Sequence, residues 1–279
     1  MNIEQKAKQT LSEIKLNKKD KILVALSGGK DSSVVAYLLK KFGYSTLPSR
    51  SERKGTSIEG FHIDLKMGKY SEDCLNAVKE LCHNLGIKLH VYDIRKEMGN
   101  SMCNIRLNVQ SKKSLKNCAI CGVIKKWILN KEARKLKAKY IATGHHLDDE
   151  IQTFLLNILK GSPELNANTG VISRNIKNEK FIPRIKPLFY ILEEDIKKYS
   201  LKHKLPVIYE KCPCAIDSYR IQIRQFMKSL NKKQKMNLMK NSEQISQKTK
   251  KKNEEIKYCE ICGEPARNKI CKMCSILRK

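Results

Sequence analysis

Nowhere among the 279 residues is there an apolar run long enough to cross a bilayer, which excludes a helical membrane span. The opening stretch MNIEQKAKQTLSEIKLNKKDK has no apolar core of the secretory kind, so export is not expected. The chain is therefore expected in the cytoplasm, without membrane contact. In that reducing compartment its eleven cysteines are not expected to form stable disulfides. Acidic residues are scarce: 28 Asp and Glu stand against 57 Lys and Arg, a formal charge of +29. Such an excess draws polyanions by counterion release, so nucleic acid is the expected macromolecular partner. No internal repeat is visible. An apolar fraction of 41% and this length suffice for one full core plus a small appendage.

Residues 3–17 read as a short amphipathic helix. Ile22 to Leu26 reads as a buried strand, and Ser33 to Phe42 as a helix stopped at Gly43. Residues 45–57 are a polar loop, and Gly60 to Asp64 a second strand. Cys74, Val78, Leu81, Cys82 and Leu85 share one face of a helix over 70–85, which makes Cys74 and Cys82 core residues. A strand at 89–92, a helix at 118–136, a strand at 140–143 and a helix from Leu147 follow. Further helix is expected over 187–230, with a short strand at Val207 to Tyr209. This alternation specifies an α/β fold, a doubly wound parallel sheet with helices on both faces. The expected divisions are an N-terminal helix (1–19), an ATP-binding catalytic domain (20–230), a basic linker or polar helix (231–257) and a separate Cys-rich module (258–279).

The sequence Ser27-Gly28-Gly29-Lys30-Asp31-Ser32 lies between a strand and a helix. Two glycines let the backbone approach phosphate oxygens, and the helix start aims free N–H groups at the anion. Ser27 and Ser32 add hydroxyls and Lys30 adds charge, while Asp31 fits beside phosphate if it binds Mg2+ or caps the helix. The Gly-Lys-Ser/Thr ending of a Walker loop is absent. The motif resembles the pyrophosphatase loop of the PP-loop superfamily (a HUP-like Rossmann-type fold), whose members split ATP between the α and β phosphates. That resemblance implies adenylation of a carbonyl oxygen, with ammonia, lysine or sulfur as the nucleophile.

Cys118-Ala-Ile-Cys121-Gly begins a helix, with Lys125 on the same face. A C-x-x-C alone serves a zinc knuckle, a disulfide-exchange pair or a cluster equally. Further thiolates stand in Lys211-Cys212-Pro-Cys214. Together with Thr143-Gly-His-His-Leu-Asp-Asp-Glu-Ile151, these runs resemble the TtcA/TtuA group of tRNA 2-thiolation enzymes over about residues 20–230. The resemblance implies a 4Fe-4S cluster on Cys118, Cys121 and a third cysteine, with one iron open to sulfide. Cys212, directly before proline, matches the third ligand, and Cys214 is the substitute. It also implies ATP support by Lys125 and a catalytic role for Asp149. Gly144 would admit the nucleotide, and Ala25 and Ile63 would touch adenosine, although strand packing explains those two equally well. Helix N-terminal charge is the alternative for Asp148 and Asp149. His145 and His146 lack the second histidine set of a zinc hydrolase. Cys103 has no assignment.

Cys259-x2-Cys262-x8-Cys271-x2-Cys274 has the spacing of a closed tetrahedral Zn2+ site. Gly263 and Pro265 supply its knuckle, and Arg267, Lys269, Lys272, Arg278 and Lys279 offer contacts to RNA phosphate. The TtuA branch carries such a module and usually a second N-terminal one, without counterpart here. Together these features imply a tRNA sulfurtransferase that adenylates the carbon-2 carbonyl of a pyrimidine and replaces its oxygen with sulfur. ATP, Mg2+, a 4Fe-4S cluster and Zn2+ are its expected cofactors. Its expected partners are tRNA, a second copy of the chain, and a sulfur donor: sulfide, a desulfurase or a ubiquitin-like carrier. The competing readings are persulfide thiolation by Cys118 and Cys121 without a cluster, a nitrogen-transferring enzyme of the same loop family, and a non-catalytic zinc-ribbon RNA binder.

Overall fold

The computed structural model describes residues 1–17, 19–44, 57–173, 178, 180–215, 220–248 and 256–277. Nearly all of the loop expected at 45–57, residues 249–255 and the terminal Arg278 and Lys279 fall outside them. A capping box between Asn2 and Gln5 starts α1 (Ile3–Ile14). There follow β1 (Lys21–Leu26), α2 (Lys30–Lys41), β2 (Ser57–Asp64), α3 (Lys69–Leu85), β3 (Leu89–Asp93), α4 (Ile94–Met98), α5 (Met102–Gln110), α6 (Asn117–Lys135), β4 (Tyr140–Ala142) and α7 (Leu147–Leu159). After a 3-10 turn at Pro163–Asn168 come β5 (Ile172–Ser173), β6 (Arg184–Ile185), α8 (Glu193–Lys202), α9 (Arg220–Lys228), α10 (Lys232–Lys248), β7 (Lys257–Tyr258), β8 (Pro265–Ala266) and α11 (Lys272–Leu277).

Six strands form one sheet in the order β3-β2-β1-β4-β6-β5. Every pairing is parallel except β5 with β6, which adds an antiparallel edge to the expected parallel sheet. The central strand explains the two-sided architecture. Ile22, Val24 and Leu26 enter a core shared with α1, α2, α3 and α8. Leu23 enters one shared with α5, α6 and the C-terminal module. A strand buried on both faces must be apolar throughout, as Ile-Leu-Val-Ala-Leu is. Cys74 and Cys82 are buried as expected.

Several expectations are corrected. Helix α2 begins at Lys30, not Ser33, because Gly29 is the extended N-cap and the Ser32 and Ser33 hydroxyls donate to its carbonyl at 3.1 Å. The strand expected at 207–209 reduces to one parallel bridge between Ile208 and Gly29. Of the two alternatives for residues 231–257, the polar helix is the one found over 232–248, and it is docked, because Met239 is buried beside Leu147 and Ile151 of α7. The Cys-rich module is not set apart either: its Cys259, Cys271, Met273 and Ile276 join the core beneath α6.

The sheet order reverses at β1, whose successor β2 lies on one side and whose other neighbour is β4. Ligands of open α/β sheets bind outside the carboxyl ends of strands at such a switch point. Both the Ser27–Ser32 loop and the Thr143–His146 run leave the sheet there.

Candidate functional site

Gly28 has φ +84°, a backbone conformation that only glycine adopts without strain. A Cβ on it would lie 2.8 Å from the Cα of Cys74. The Gly28 carbonyl accepts a 2.8 Å hydrogen bond from the Ile208 N–H. Ser27 and Ser32 hydroxyls meet at 3.1 Å, and the Ser27 N–H donates to the Ser32 Oγ at 3.1 Å. The loop is thus pre-shaped, with the N-terminal amides of α2 at its mouth. Gly144 is required by a different contact: its Cβ would lie 2.7 Å from the Asp31 carbonyl carbon and the Ser32 nitrogen. The close approach that it permits is to the loop backbone.

Lys30 Nζ lies 2.9 Å from Glu193 Oε1 on α8 and 3.1 Å from Asp31 Oδ1. Burial opposes its charge, but those two carboxylates outweigh burial and hold its pKa above the ordinary lysine value. Asp31 is pushed up by burial, with His146 and Lys30 opposing and Asp149 reinforcing the shift. Asp31 Oδ1 is buried and, apart from its 3.1 Å ion pair with Lys30, makes no hydrogen bond, so it keeps a lone pair with which a divalent cation could be held. His146, also buried, has Nε2 3.4 Å from Asp149 Oδ2 and 3.9 Å from Asp31 Oδ1.

The two aspartates of α7 divide their work. Asp148 is taken up structurally: Oδ2 accepts the Glu193 N–H at 2.8 Å, capping α8, and Oδ1 pairs with Lys235 of α10 at 2.8 Å. Asp149 faces His146, and Arg220 Nη1 lies 3.7 Å from its Oδ1. Burial raises its pKa, but His146, His145, Arg220 and Arg224 outweigh that and hold it below the usual aspartate value. Asp149 is therefore an anion at neutral pH. The neighbouring Glu150 pairs with Lys186 at 2.7 Å, both side chains being buried.

We expect Asp148→Ala to destabilise the fold by about 2 kcal/mol, from the lost cap and the stranded Lys235. Asp149→Asn should leave the melting temperature within about 2 °C of the original and lower turnover by about a hundredfold or more. Thermal melts and single-turnover assays on the two variants separate these roles.

Cys118 is exposed and Cys121 half-buried on the first turn of α6. Lys125, exposed on the same helix, lies within electrostatic reach of His62. The His62 Nδ1–H donates to the Leu26 carbonyl at the end of β1 at 2.9 Å. The segment that begins at Ile208 on the phosphate loop continues to both remaining cysteines. Cys212 lies within electrostatic reach of Tyr70 and Cys74 at the start of α3. Cys214 Sγ instead accepts from Arg106 Nη2 of α5 at 2.8 Å, and Cys103 Sγ accepts from the same nitrogen at 3.2 Å. Helix α5 packs on α6 in the same core. The segment therefore runs from the phosphate loop to the cysteine helix's neighbour. Ala25 and Ile63 are half-buried and pack against this core.

Cys259, Cys262, Cys271 and Cys274 bring their sulfurs within 4.8 Å of one another, and the Cys271 N–H donates to Cys259 Sγ at 3.2 Å. Burial raises the Cys259 thiol, but backbone N–H groups of Cys271, Cys262 and Ile261 bring it down to about 6. Four converging sulfurs with a thiolate already favoured fit structural Zn2+. Among the described residues no other group closes to that single-ion spacing.

Sequence reasoning missed Glu193, Arg106 and the α9 arginines. Arg220 and Arg224, four apart and thus on one helical face, were the only signal for any of them.

The family profile of the PP-loop domain matches residues 1–230. The chain is 35% identical to a tRNA-5-methyluridine(54) 2-sulfurtransferase of Pyrococcus horikoshii, over 97% of this chain and 83% of that protein. It is 31% identical to the cytoplasmic tRNA 2-thiolation protein 1 of Caenorhabditis elegans, over 99% of this chain and 72% of that protein. A solved structure of the U34-tRNA thiolase NcsA from Methanococcus maripaludis, with its [4Fe-4S] cluster, superposes with a TM-score of 0.80 at 26% identity, covering 98% of this chain and 85% of that one. With a phosphate loop at the switch point, cysteines on α6 and these relatives along nearly its whole length, the chain belongs to the PP-loop family, among the tRNA 2-thiolation sulfurtransferases.

Proposed function

We propose that the chain is a cytoplasmic, ATP-dependent tRNA sulfurtransferase that converts the carbon-2 carbonyl of a pyrimidine into a thiocarbonyl. The observation that carries this reading is the segment 208–214. It leaves the phosphate loop through the Ile208–Gly28 hydrogen bond, carries Cys212 past the start of α3 and ends at Cys214, whose sulfur is held by Arg106 of α5, the helix that packs on α6.

The α2 amides, Ser27, Ser32 and Lys30 bind the departing pyrophosphate, with Lys30 exchanging Glu193 for phosphate oxygens. Asp31 would hold Mg2+ through Oδ1, which in this structure is paired with Lys30 and makes no hydrogen bond. Ala25 and Ile63 flank the adenosine, and Gly144 keeps the β4 loop tight against the phosphate site. The base oxygen attacks the α-phosphorus, pyrophosphate leaves, and Lys125 steadies the charge on the α-phosphate. Hydrosulfide then adds at carbon-2, the carbon–oxygen bond breaks, and AMP leaves. Asp149, ionised beside His146, accepts the sulfur's proton.

Cys118, Cys121 and Cys212 are the proposed ligands of a 4Fe-4S cluster. Three soft thiolates suit iron–sulfur, and Cys214 is already engaged by Arg106. When bound, the cluster supplies an iron with one open coordination position for sulfide. The relative with a solved cluster, named above, supports this over persulfide exchange between Cys118 and Cys121. The basic surface takes up tRNA, and the base reaches the site from a loop or by extrusion. The reading includes a homodimer, and sulfur from sulfide, a desulfurase or a ubiquitin-like carrier. Anaerobic protein with ATP, sulfide and unmodified tRNA should form a 2-thio nucleoside measurable by mass spectrometry, and the position labelled would name the substrate base. Pyrophosphate release with ammonia incorporated instead would favour the nitrogen-transferring reading.

A further inference from the structure

Helix α6 carries Cys118 and Cys121 and is covered on two sides. Its Ile120, Ile124 and Ile128 are fully buried, in one continuous apolar cluster with Leu23 and Ile141 of the sheet. The same cluster contains Cys259, Cys271, Met273 and Ile276 of the C-terminal module. Two of those four are cysteines of the four-cysteine site. The metal site is thus built into the packing around the cysteine helix.

Polar ties reinforce the contact along the length of α6. Near its carboxyl end, the Arg134 guanidinium grips both oxygens of the Glu264 carboxylate, which is buried. Arg134 also donates to the Lys180 carbonyl at 2.9 Å, and Lys180 Nζ donates to the Gly263 carbonyl in the metal knuckle at 3.0 Å. At the other end, just before Cys118, Lys113 donates to the Ser275 carbonyl of α11. The module therefore spans α6 from the turn before Cys118 to Arg134.

A module of this size has too little apolar surface to hold its shape without metal, so its folding free energy is metal-binding free energy. We propose that the four-cysteine module is a clamp on the cysteine helix: Zn2+ at Cys259–Cys274 fixes α6, and loss of that Zn2+ loosens the turn that presents Cys118 and Cys121. Arg134 and Glu264 are positioning residues that carry the clamp's grip. The clamp itself is independent of the function proposed above, and only its effect on cluster loading rests on that reading.

Hydrogen exchange read by mass spectrometry on the full chain tests the clamp without any activity measurement. Cys274→Ser should lose most of its zinc, and amides between Ile120 and Ile128 should exchange about tenfold faster or more, while those of β1 and α2 keep their rates. Arg134→Gln leaves all four thiolates in place. It should keep its zinc and speed exchange in α6 by about threefold. It decides the matter should Cys274→Ser unfold throughout. Anaerobic reconstitution with iron and sulfide, followed by visible absorbance, should show cluster content per chain falling about threefold or more in Cys274→Ser. Unchanged α6 protection in zinc-free Cys274→Ser, or in Arg134→Gln if Cys274→Ser is unfolded, overturns the proposal. Should the wild-type chain take up no cluster, the assignment of Cys118 and Cys121 as cluster ligands fails, and the exchange rates alone judge the clamp.

Discussion

Cys118→Ala, prepared anaerobically and reconstituted with iron and sulfide, should bind ATP normally and lose tRNA thiolation by about a thousandfold or more. The substitution removes one of the three thiolates proposed for the cluster, and alanine offers no donor in its place. It leaves the pyrophosphate loop alone, because that loop is built from Ser27–Ser32, α2 and Glu193, and it keeps Lys125, the one α6 residue proposed to touch phosphate. The fold should also be unaffected. Cys118 is exposed at the start of its helix, and alanine is a better helix former than cysteine. Iron per chain, ATP binding by calorimetry and thio-nucleoside yield together give the expected pattern: low iron, normal ATP, no product. Cys214→Ala provides the contrast. If Cys212 is the third ligand, Cys214→Ala keeps its iron and Cys212→Ala does not, and the reverse result transfers the role to Cys214.

The second large effect is expected at Gly28. Alanine there meets two obstacles at once. At φ +84° an L-residue costs about 1–2 kcal/mol. The new Cβ would also sit 2.8 Å from both Cα and Cβ of Cys74 and 2.9 Å from its carbonyl oxygen. Backbone on the buried face of α3 cannot move aside as a flexible side chain would, so the loop must shift. The shift breaks the Ile208–Gly28 hydrogen bond that anchors the cysteine segment. Gly28→Ala should lose about 3 kcal/mol of stability and weaken ATP binding by about a hundredfold. Gly29→Ala is the internal control. Its φ is −90° and its nearest neighbour, Ser27 Oγ, is 3.5 Å away, so a cost below about 1 kcal/mol is expected. Equal damage from the two substitutions would contradict this account of the loop.

The parts of the molecule that sequence made legible are those whose cause is local. A buried strand, two glycines and a helix start occur within a dozen residues, so the phosphate loop could be read directly. The spacing of the four C-terminal cysteines is equally local, and four sulfurs do converge. What sequence did not reveal depends on distant partners. Glu193 lies 163 residues from Lys30, and nothing in its neighbourhood marks it as a partner for the loop lysine. Asp148 and Asp149 look alike in sequence, and only the arrival of the α8 amide and Lys235 assigns one to structure. Strands β5 and β6 are two residues long, too short for any periodicity to register. Helix α5 escaped because its nine residues mix apolar and polar side chains closely. Residues 232–248 are Lys-, Asn- and Gln-rich and read as a polar helix or a linker, and the buried Met239 docks the helix on α7. The Cys-rich module was legible as a metal site and illegible as a partner of α6, because docking is a property of surfaces that composition does not report.

In the proposed reaction, the cysteines of α6 and of the 208–214 segment act on an ATP-activated base held at the Gly28–Gly29 loop. The most direct measurement is a stoichiometric one. Anaerobically prepared protein, loaded with iron and sulfide, is mixed with ATP and unmodified tRNA, and AMP, pyrophosphate and thio-nucleoside are counted together. The account predicts about one AMP and one pyrophosphate per thiolated base, with no thio-nucleoside once the cluster is chelated away. Thiolation that proceeds unchanged after the iron is stripped, or thio-nucleoside formed without pyrophosphate, would contradict it.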